Sequence, residues 1–357
     1  MTIRRSLTLG GTMLAVAALG CSDHHNPAAP LHADLTTSSA TQAASYSGRA
    51  TVVQATVLGV STMLVDAGPL PPSGGAEHAS LVNATVPGLL TAEVLHAATV
   101  GQGNASRSEA SVAELALTVA GNSIAAGFLE ARAVAVCGDN GAAASGSSDI
   151  AALTVNGQTI AISGMPNQTV TLPNGRVIIN EQTPGTGAIT VNALHVIVDG
   201  VADVVISSAH ADIACQPGAA PPPPPGCTPA DFVTGGGWIT GTPSGAKANF
   251  GVGGGIKQGV FWGHLTYVDH GAGGPQVKGT GVTGYAADQT NPTLRHISGT
   301  AEVDGQGGFT YQVDVADNGE PGSSDTFAIR VSGAGFSYSA GGPLSGGNIQ
   351  LHAPACQ

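Results

Sequence analysis

The sequence predicts an all-β protein: two antiparallel β domains, each a sandwich or a small barrel, joined by a polyproline linker behind a signal peptide and a flexible tether. Three observations predict it. Gly (53) and Pro (22) are abundant and charged residues make up only 10% of the 357-residue chain, which excludes long amphipathic helices and coiled coils. Apolar residues reach 42%, too many for a disordered chain of such low charge. Hairpin dipeptides recur between apolar runs that alternate with period two.

Residues 1–20 read as a signal peptide. Arg4 and Arg5 precede an apolar run from Leu7 to Leu19, shorter than the roughly 20 residues a membrane span needs. Ala18-Leu19-Gly20-Cys21 resembles the lipobox of bacterial lipoproteins, with Ala18 where Leu is more usual, so Cys21 is the expected lipidated residue. Arg4-Arg5-Ser6-Leu7 weakly resembles a twin-arginine signal, which leaves the export route open. Residues 21–45 continue from the lipidated Cys as a small-residue, polar tether that spans about 27 Å as a coil. The expected location is extracytoplasmic, on a bacterial cell envelope (outer membrane or cell surface).

The net charge of −12 excludes a basic face for nucleic acid and gives no attraction to anionic lipid, so the N-terminal lipid alone would hold the membrane. Five cysteines are present: Cys21, Cys137, Cys215, Cys227 and Cys356. Lipidation of Cys21 leaves four, which allow three pairings. The proline tract between Cys215 and Cys227 predicts pairing within each domain, Cys137 with Cys215 and Cys227 with Cys356. An exported chain favours disulfides over free thiols, and no CxxC spacing for redox or zinc chemistry occurs.

The first domain covers residues 46–215. Asn156-Gly157, Asn174-Gly175 and Asp199-Gly200 each interrupt an alternating run, and both dipeptides suit two-residue type I′ turns. With the last as a two-residue loop, His195 faces Val204 and not His210. Ser111 to Val136 is Ala-rich and compatible with helix; the alternation of Leu115, Leu117 and Val119 and the Gly121-Asn122 step read instead as a hairpin. Residues 216–226 carry five successive prolines, a stiff polyproline II spacer. The second domain covers residues 227–357 and alternates about eight short β runs with Gly clusters.

Val-Asn-Ala-Leu-His-Val (191–196), the segment 200–215 and Leu172-Pro-Asn-Gly-Arg resemble the choice-of-anchor P family. Asp231-Phe-Val-Thr-Gly-Gly-Gly-Trp-Ile, Lys247-Ala-Asn-Phe-Gly, Gly263-His-Leu-Thr-Tyr-Val-Asp-His and Gly346-Gly-Asn-Ile-Gln-Leu-His resemble the post-choice-of-anchor module that often follows it. The resemblance covers about residues 46–357 and implies an exported bacterial surface protein. It carries over no catalytic residue.

No Gly-x-Ser-x-Gly elbow occurs, and Ser244-Gly-Ala-Lys247 lacks the helix and companion motifs of a Ser-x-x-Lys enzyme. His264 and His270 lie about 20 Å apart on one extended strand, too far to share a metal. Asp317, Glu320 and Asp325 would offer oxygen ligands to Ca²⁺, although the EF-hand register is missing; no other cofactor is expected. Trp238 and Trp262 would stack on sugar rings if exposed. The expected function is therefore non-enzymatic: a structural, adhesive or partner-binding role, with an envelope protein or a glycan as partner. The alternative is a carbohydrate-binding or carbohydrate-acting protein that uses Trp238, Trp262 and a pair drawn from Asp269, Glu302, Asp304 and Asp314.

Overall fold

The computed structural model describes residues 44–215, 231–257, 259–320, 322–333 and 335–352. The expected signal peptide, Cys21, most of the expected tether, the expected linker, Cys227 and Cys356 lie outside the described residues. Every strand pair is antiparallel, and among the described residues there is no α-helix.

The first part of the chain forms β1 (Ser45–Val57), β2 (Val60–Ala67), β3 (Gly75–Val86), β4 (Leu90–Gln102), β5 (Ala105–Val119), β6 (Asn122–Gly138), β7 (Gly141–Ala151), β8 (Thr154–Val155), β9 (Gln158–Thr159), β10 (Gln168–Leu172), β11 (Gly175–Gly185), β12 (Ala188–Val198) and β13 (Ala202–Ala214). They build a six-stranded sheet, β10-β11-β12-β13-β1-β2, and a seven-stranded sheet, β3-β4-β5-β6-β8-β9 with β7 beside β6. The two inner faces meet in one core that includes Val52, Leu95, Leu129, Val177, Leu194 and Ile206. This is a sandwich. Cys137, near the end of β6, is bonded to Cys215, just after β13, and so ties the two sheets together at one end.

The hairpin chemistry holds with shifts of one residue. Asn156-Gly157 is the expected two-residue loop with both φ angles positive. The Ser111–Val136 hairpin turns on Ala120-Gly121 rather than Gly121-Asn122. Leu172 pairs with Gly175, so Pro173-Asn174 forms the turn, and Gly175 serves a different need: a Cβ there would lie 2.0 Å from the Ile197 carbonyl oxygen. The loop after β12 has three residues, Asp199-Gly200-Val201, so His195 pairs with Val205 and not Val204. His210 pairs with Thr190.

The second part forms β14 (Phe232–Ile239), β15 (Ala248–Lys257), β16 (Val260–Asp269), β17 (Gln276–Ala287), β18 (Leu294–Val303), β19 (Gln306–Ala316), β20 (Thr326–Gly333), β21 (Phe336–Pro343) and β22 (Gly346–His352). It is a nine-stranded sheet in the order β21-β20-β19-β18-β17-β16-β15-β14-β22. The sheet curls strongly. Phe250 on β15 and Phe327 on β20 stack across its interior with ring centroids 3.9 Å apart. Tyr267 on β16 meets Tyr338 on β21, hydroxyl to hydroxyl, at 2.6 Å. A flat sheet would hold these strands, five steps apart, about 24 Å from each other at 4.7–4.9 Å per step. The result is an open barrel around an aromatic core.

The outer face of the seven-stranded sheet packs on the outer face of β14–β16. Val94, Ala113, Phe128 and Val268 form a small separate core there, with Trp238 against it. The glycine runs of β14 and β15 explain how two sheets come so close. A Cβ on Gly236 would lie 2.5 Å from Ser111 Oγ, and one on Gly251 would lie 2.9 Å from His96 Cβ. Gly251→Val is therefore expected to destabilise the protein by about 1–3 kcal/mol through overpacking of this junction. Urea unfolding at neutral pH measures it as a fall in midpoint.

Candidate functional site

The junction between sandwich and barrel is polar as well as tight. β4 places His96 with its Nδ1 2.6 Å from His264 Nε2 of β16, and its Nε2 3.1 Å from Glu109 Oε1 of β5. All three residues are buried. With Glu109 a carboxylate, the proton order follows: His96 Nε2–H donates to Glu109, and His264 Nε2–H donates to His96 Nδ1. His264 Nδ1 is left as a buried acceptor without a partner. His78 of β3 also stacks on His264, with ring centroids 5.1 Å apart. Burial, then His96 and His78, hold His264 well below the usual histidine range, so it stays neutral.

Beside this chain lies a cleft of about 280 Å³ between β4–β7 of the sandwich and β14 and β22 of the barrel. Arg107, Glu109, Arg132, Thr234, Glu320 and His352 line it, among smaller residues. Residues two apart on a strand share a face, so β5 presents Arg107 and Glu109 together. Register places Arg132 of β6 directly opposite Glu109.

The two arginines differ. Arg132 Nη1 lies 3.2 Å from Glu130 Oε2, and its Nε donates to Ser147 Oγ at 3.4 Å. Burial pulls its pKa down, but Glu130, Glu109, Glu320 and Asp149 together hold it above its ordinary value. Arg107 makes no side-chain hydrogen bond or ion pair among the described residues, and burial lowers its pKa. Glu109 Oε2 is likewise buried without a partner. His352 stacks on Phe232 at 4.4 Å, and its Nε2 lies 2.9 Å from Thr234 Oγ1. Burial, then the charge of Arg107, push His352 down to about 3, and its Nδ1 has no partner.

A second depression, of about 470 Å³, lies on the barrel around Phe261, Tyr285 and Gln312. Its charged groups already satisfy one another: His296 and Arg330 both pair with Asp314. The cleft at the junction differs in that charged groups of its lining, Arg107 and Glu109 Oε2, are left without a partner among the described residues.

Of the residues singled out from sequence, His264 belongs to the junction's histidine chain and Glu320 borders the cleft; the others do not line it. Trp238 is half-buried against Phe128 at 5.2 Å, and Trp262 packs between His78 and Phe232. Both indoles thus serve the junction. Asp325 accepts the backbone N–H groups of Asn318 and Ile349, and Asp317 accepts those of Gly319 and Leu351. Glu320 accepts from Asn348 Nδ2 and also borders the cleft. The three carboxylates fasten the loop before β20 to β22. Among the described residues no group of three or more His, Cys, Asp or Glu is arranged for a metal ion.

The four barrel carboxylates each have their own neighbours. Asp269 accepts from Ser244 Oγ and Tyr338 OH, Asp304 accepts from the Gln276 N–H, Asp314 pairs with His296, and Glu302 stands opposite Lys278. Lys247 pairs with Glu114 at 2.5 Å, away from the Ser244 bond to Asp269. His270 turns to Asn249 and Glu93, apart from His264.

Sequence reasoning missed His78, His96, Arg107, Glu109, Arg132 and His352. One signal was available: in a chain with 10% charged residues, Arg107-Ser-Glu109 and Glu130-Ala-Arg132 put paired charges on one face of two apolar strands.

No family model matches the chain, and no curated protein matches it. Two solved structures align over most of its length at low similarity. Kievitone hydratase from Nectria haematococca is 9% identical, over 86% of this chain and 89% of that one, with a TM-score of 0.20. A Trp-176-Ala mutant of transferrin binding protein B from Haemophilus parasuis Hp5 is 11% identical, over 86% of this chain and 76% of that one, with a TM-score of 0.12. At such scores neither defines a shared fold, and neither assigns a residue of the cleft a role.

Proposed function

We propose that this is an exported protein, held at a bacterial cell envelope by lipid on Cys21, that works by binding rather than by catalysis. The observation that carries the reading is the Cys137–Cys215 disulfide. A structural cross-link of this kind persists in an oxidising, extracytoplasmic compartment. It agrees with the signal peptide and lipobox-like segment at residues 1–21 and with the resemblance to choice-of-anchor modules. Binding is favoured over catalysis by the cleft itself. A general base works best with a pKa near the operating pH. His352 touches the Thr234 hydroxyl, yet it is pushed down to about 3, and no carboxylate orients its Nδ1. The His96–His264 chain ends on a buried nitrogen with no nucleophile bonded to it.

Mass spectrometry of the membrane-extracted, unreduced protein tests the reading. The expected result is a diacyl or triacyl mass on a chain that begins at Cys21. Cys21→Ala should move the protein from the membrane fraction to the soluble extracytoplasmic fraction. An unmodified Cys21 would overturn the anchored reading.

A further inference from the structure

We infer that the cleft between sandwich and barrel binds a small zwitterion of amino-acid size, its carboxylate held by Arg107 and its ammonium by Glu109. The inference rests on the binding reading above. Three observations carry it. The Arg107 guanidinium, half-buried, has no partner among the described residues, although the fork of five N–H donors matches a carboxylate. Glu109 Oε2 is a buried acceptor without a donor, while Oε1 is already used by His96. The two residues are neighbours on one face of β5, with Cα atoms about 7 Å apart.

An unmatched cation and an unmatched carboxylate oxygen at one wall of a cleft are costly unless something completes them. A free anion would satisfy only Arg107, and a free cation only Glu109. The charged residues at the wall are Arg107, Arg132, Glu109 and Glu320, which balance, so the cleft favours a ligand of zero net charge with both signs. At about 280 Å³ the cleft lies just below the usual range of ligand-site volumes, which suits an amino acid rather than an oligosaccharide or a nucleotide. Thr234 and Ser145 add hydroxyl groups to the lining.

The test uses the lipid-free Cys21→Ala chain and an equimolar mixture of the twenty common L-amino acids, read by saturation-transfer NMR. Succinate, putrescine and glucose are the comparison probes. One or more amino acids should bind, and succinate and putrescine should bind at least tenfold more weakly. Arg107→Gln and Glu109→Gln should each weaken the amino acid at least tenfold. Without ligand, Arg107→Gln should keep or raise the melting temperature, because it removes a half-buried charge that nothing pairs. A purely structural Arg107 would lower it.

Binding of none of the amino acids at millimolar concentration, equal binding by Arg107→Gln, or a melting temperature several degrees lower in that variant would overturn the inference. Glucose binding with no amino-acid binding would overturn it in favour of a glycan. Conversion of a bound amino acid to product, seen in the same spectra, would uphold the site and overturn the binding-only reading. Loss of the lipid mass on Cys21 would bear on location alone.

Discussion

Serine at both Cys137 and Cys215 is expected to lower stability by about 4.5 kcal/mol, because the disulfide closes a chain segment with a sequence separation of 78. The effect comes mostly from the unfolded chain, which regains the freedom that the cross-link removes. Few residues of the sandwich offset such a loss. Its core is built largely of Val and Ala, with Ala50, Ala97, Ala110, Ala131, Ala193 and Ala209 all fully buried. Each buries little area compared with Leu or Phe, so the sandwich draws less on side-chain volume than the barrel does. Urea unfolding of the Cys137→Ser/Cys215→Ser chain against the parent measures the loss. Circular dichroism follows both halves. Trp238 and Trp262 both lie on barrel strands, so their emission reports the barrel and the junction. A midpoint shift seen first by circular dichroism and later by fluorescence would locate the weakened part in the sandwich.

Much of the fold can be read from local chemistry, because turns and alternation are local. Where the reading slipped by one residue, a neighbouring group decided the turn. Gly175 is glycine because β12 passes too close for a side chain, not because the turn demands positive φ. Within the sandwich the alternation also reverses. Val65, Asn180 and Ser207 take positive φ at the positions skipped by the pairing of β1, β2 and β11–β13. Val52-Val53 and Ala193-Leu194 are therefore both buried although adjacent. A period-two reading loses its phase at such steps.

The cleft was illegible for a different reason. It needs β22, at residues 346–352, beside β14, and both against β5 and β6, more than a hundred residues earlier. Nothing local in Arg107 or His352 announces that meeting. The glycine runs of β14 and β15 were visible, but their purpose, room for His96 and Ser111, appears only when the sheets are packed.

Mild acid is expected to open this junction. His264 is held well below its ordinary pKa by burial, His96 and His78, and His352 is pushed to about 3 by burial and Arg107. In the unfolded chain both titrate near 6.5. Below that pH the unfolded chain takes up protons that the folded one refuses, so stability is intact above about pH 7 and falls as pH falls. For His352 alone the loss between pH 7 and 5 is about 2 kcal/mol, and His264 adds to it with the same sign. Glu130 acts in the opposite direction. Burial raises its pKa, so the folded chain holds a proton that the unfolded one releases, and acid favours folding through this group. His296 opposes too, but its side chain is 42% exposed and its ion pairs are screened. The clean measurement is therefore a difference. Urea unfolding from pH 7.5 to 5 should show a shallower loss for His264→Gln and for His352→Gln than for the parent, with the double variant the flattest. Identical slopes in all four proteins would mean that neither imidazole is neutral and buried in the folded state. Amide exchange adds the location. A proton on His264 would set a charge against His96 within the tightest contact between the two sheets, so β4 and β15 should lose protection before the sandwich and barrel cores do. Arg107 and Glu109 stand beside that contact, and zwitterion binding should fade over the same pH range.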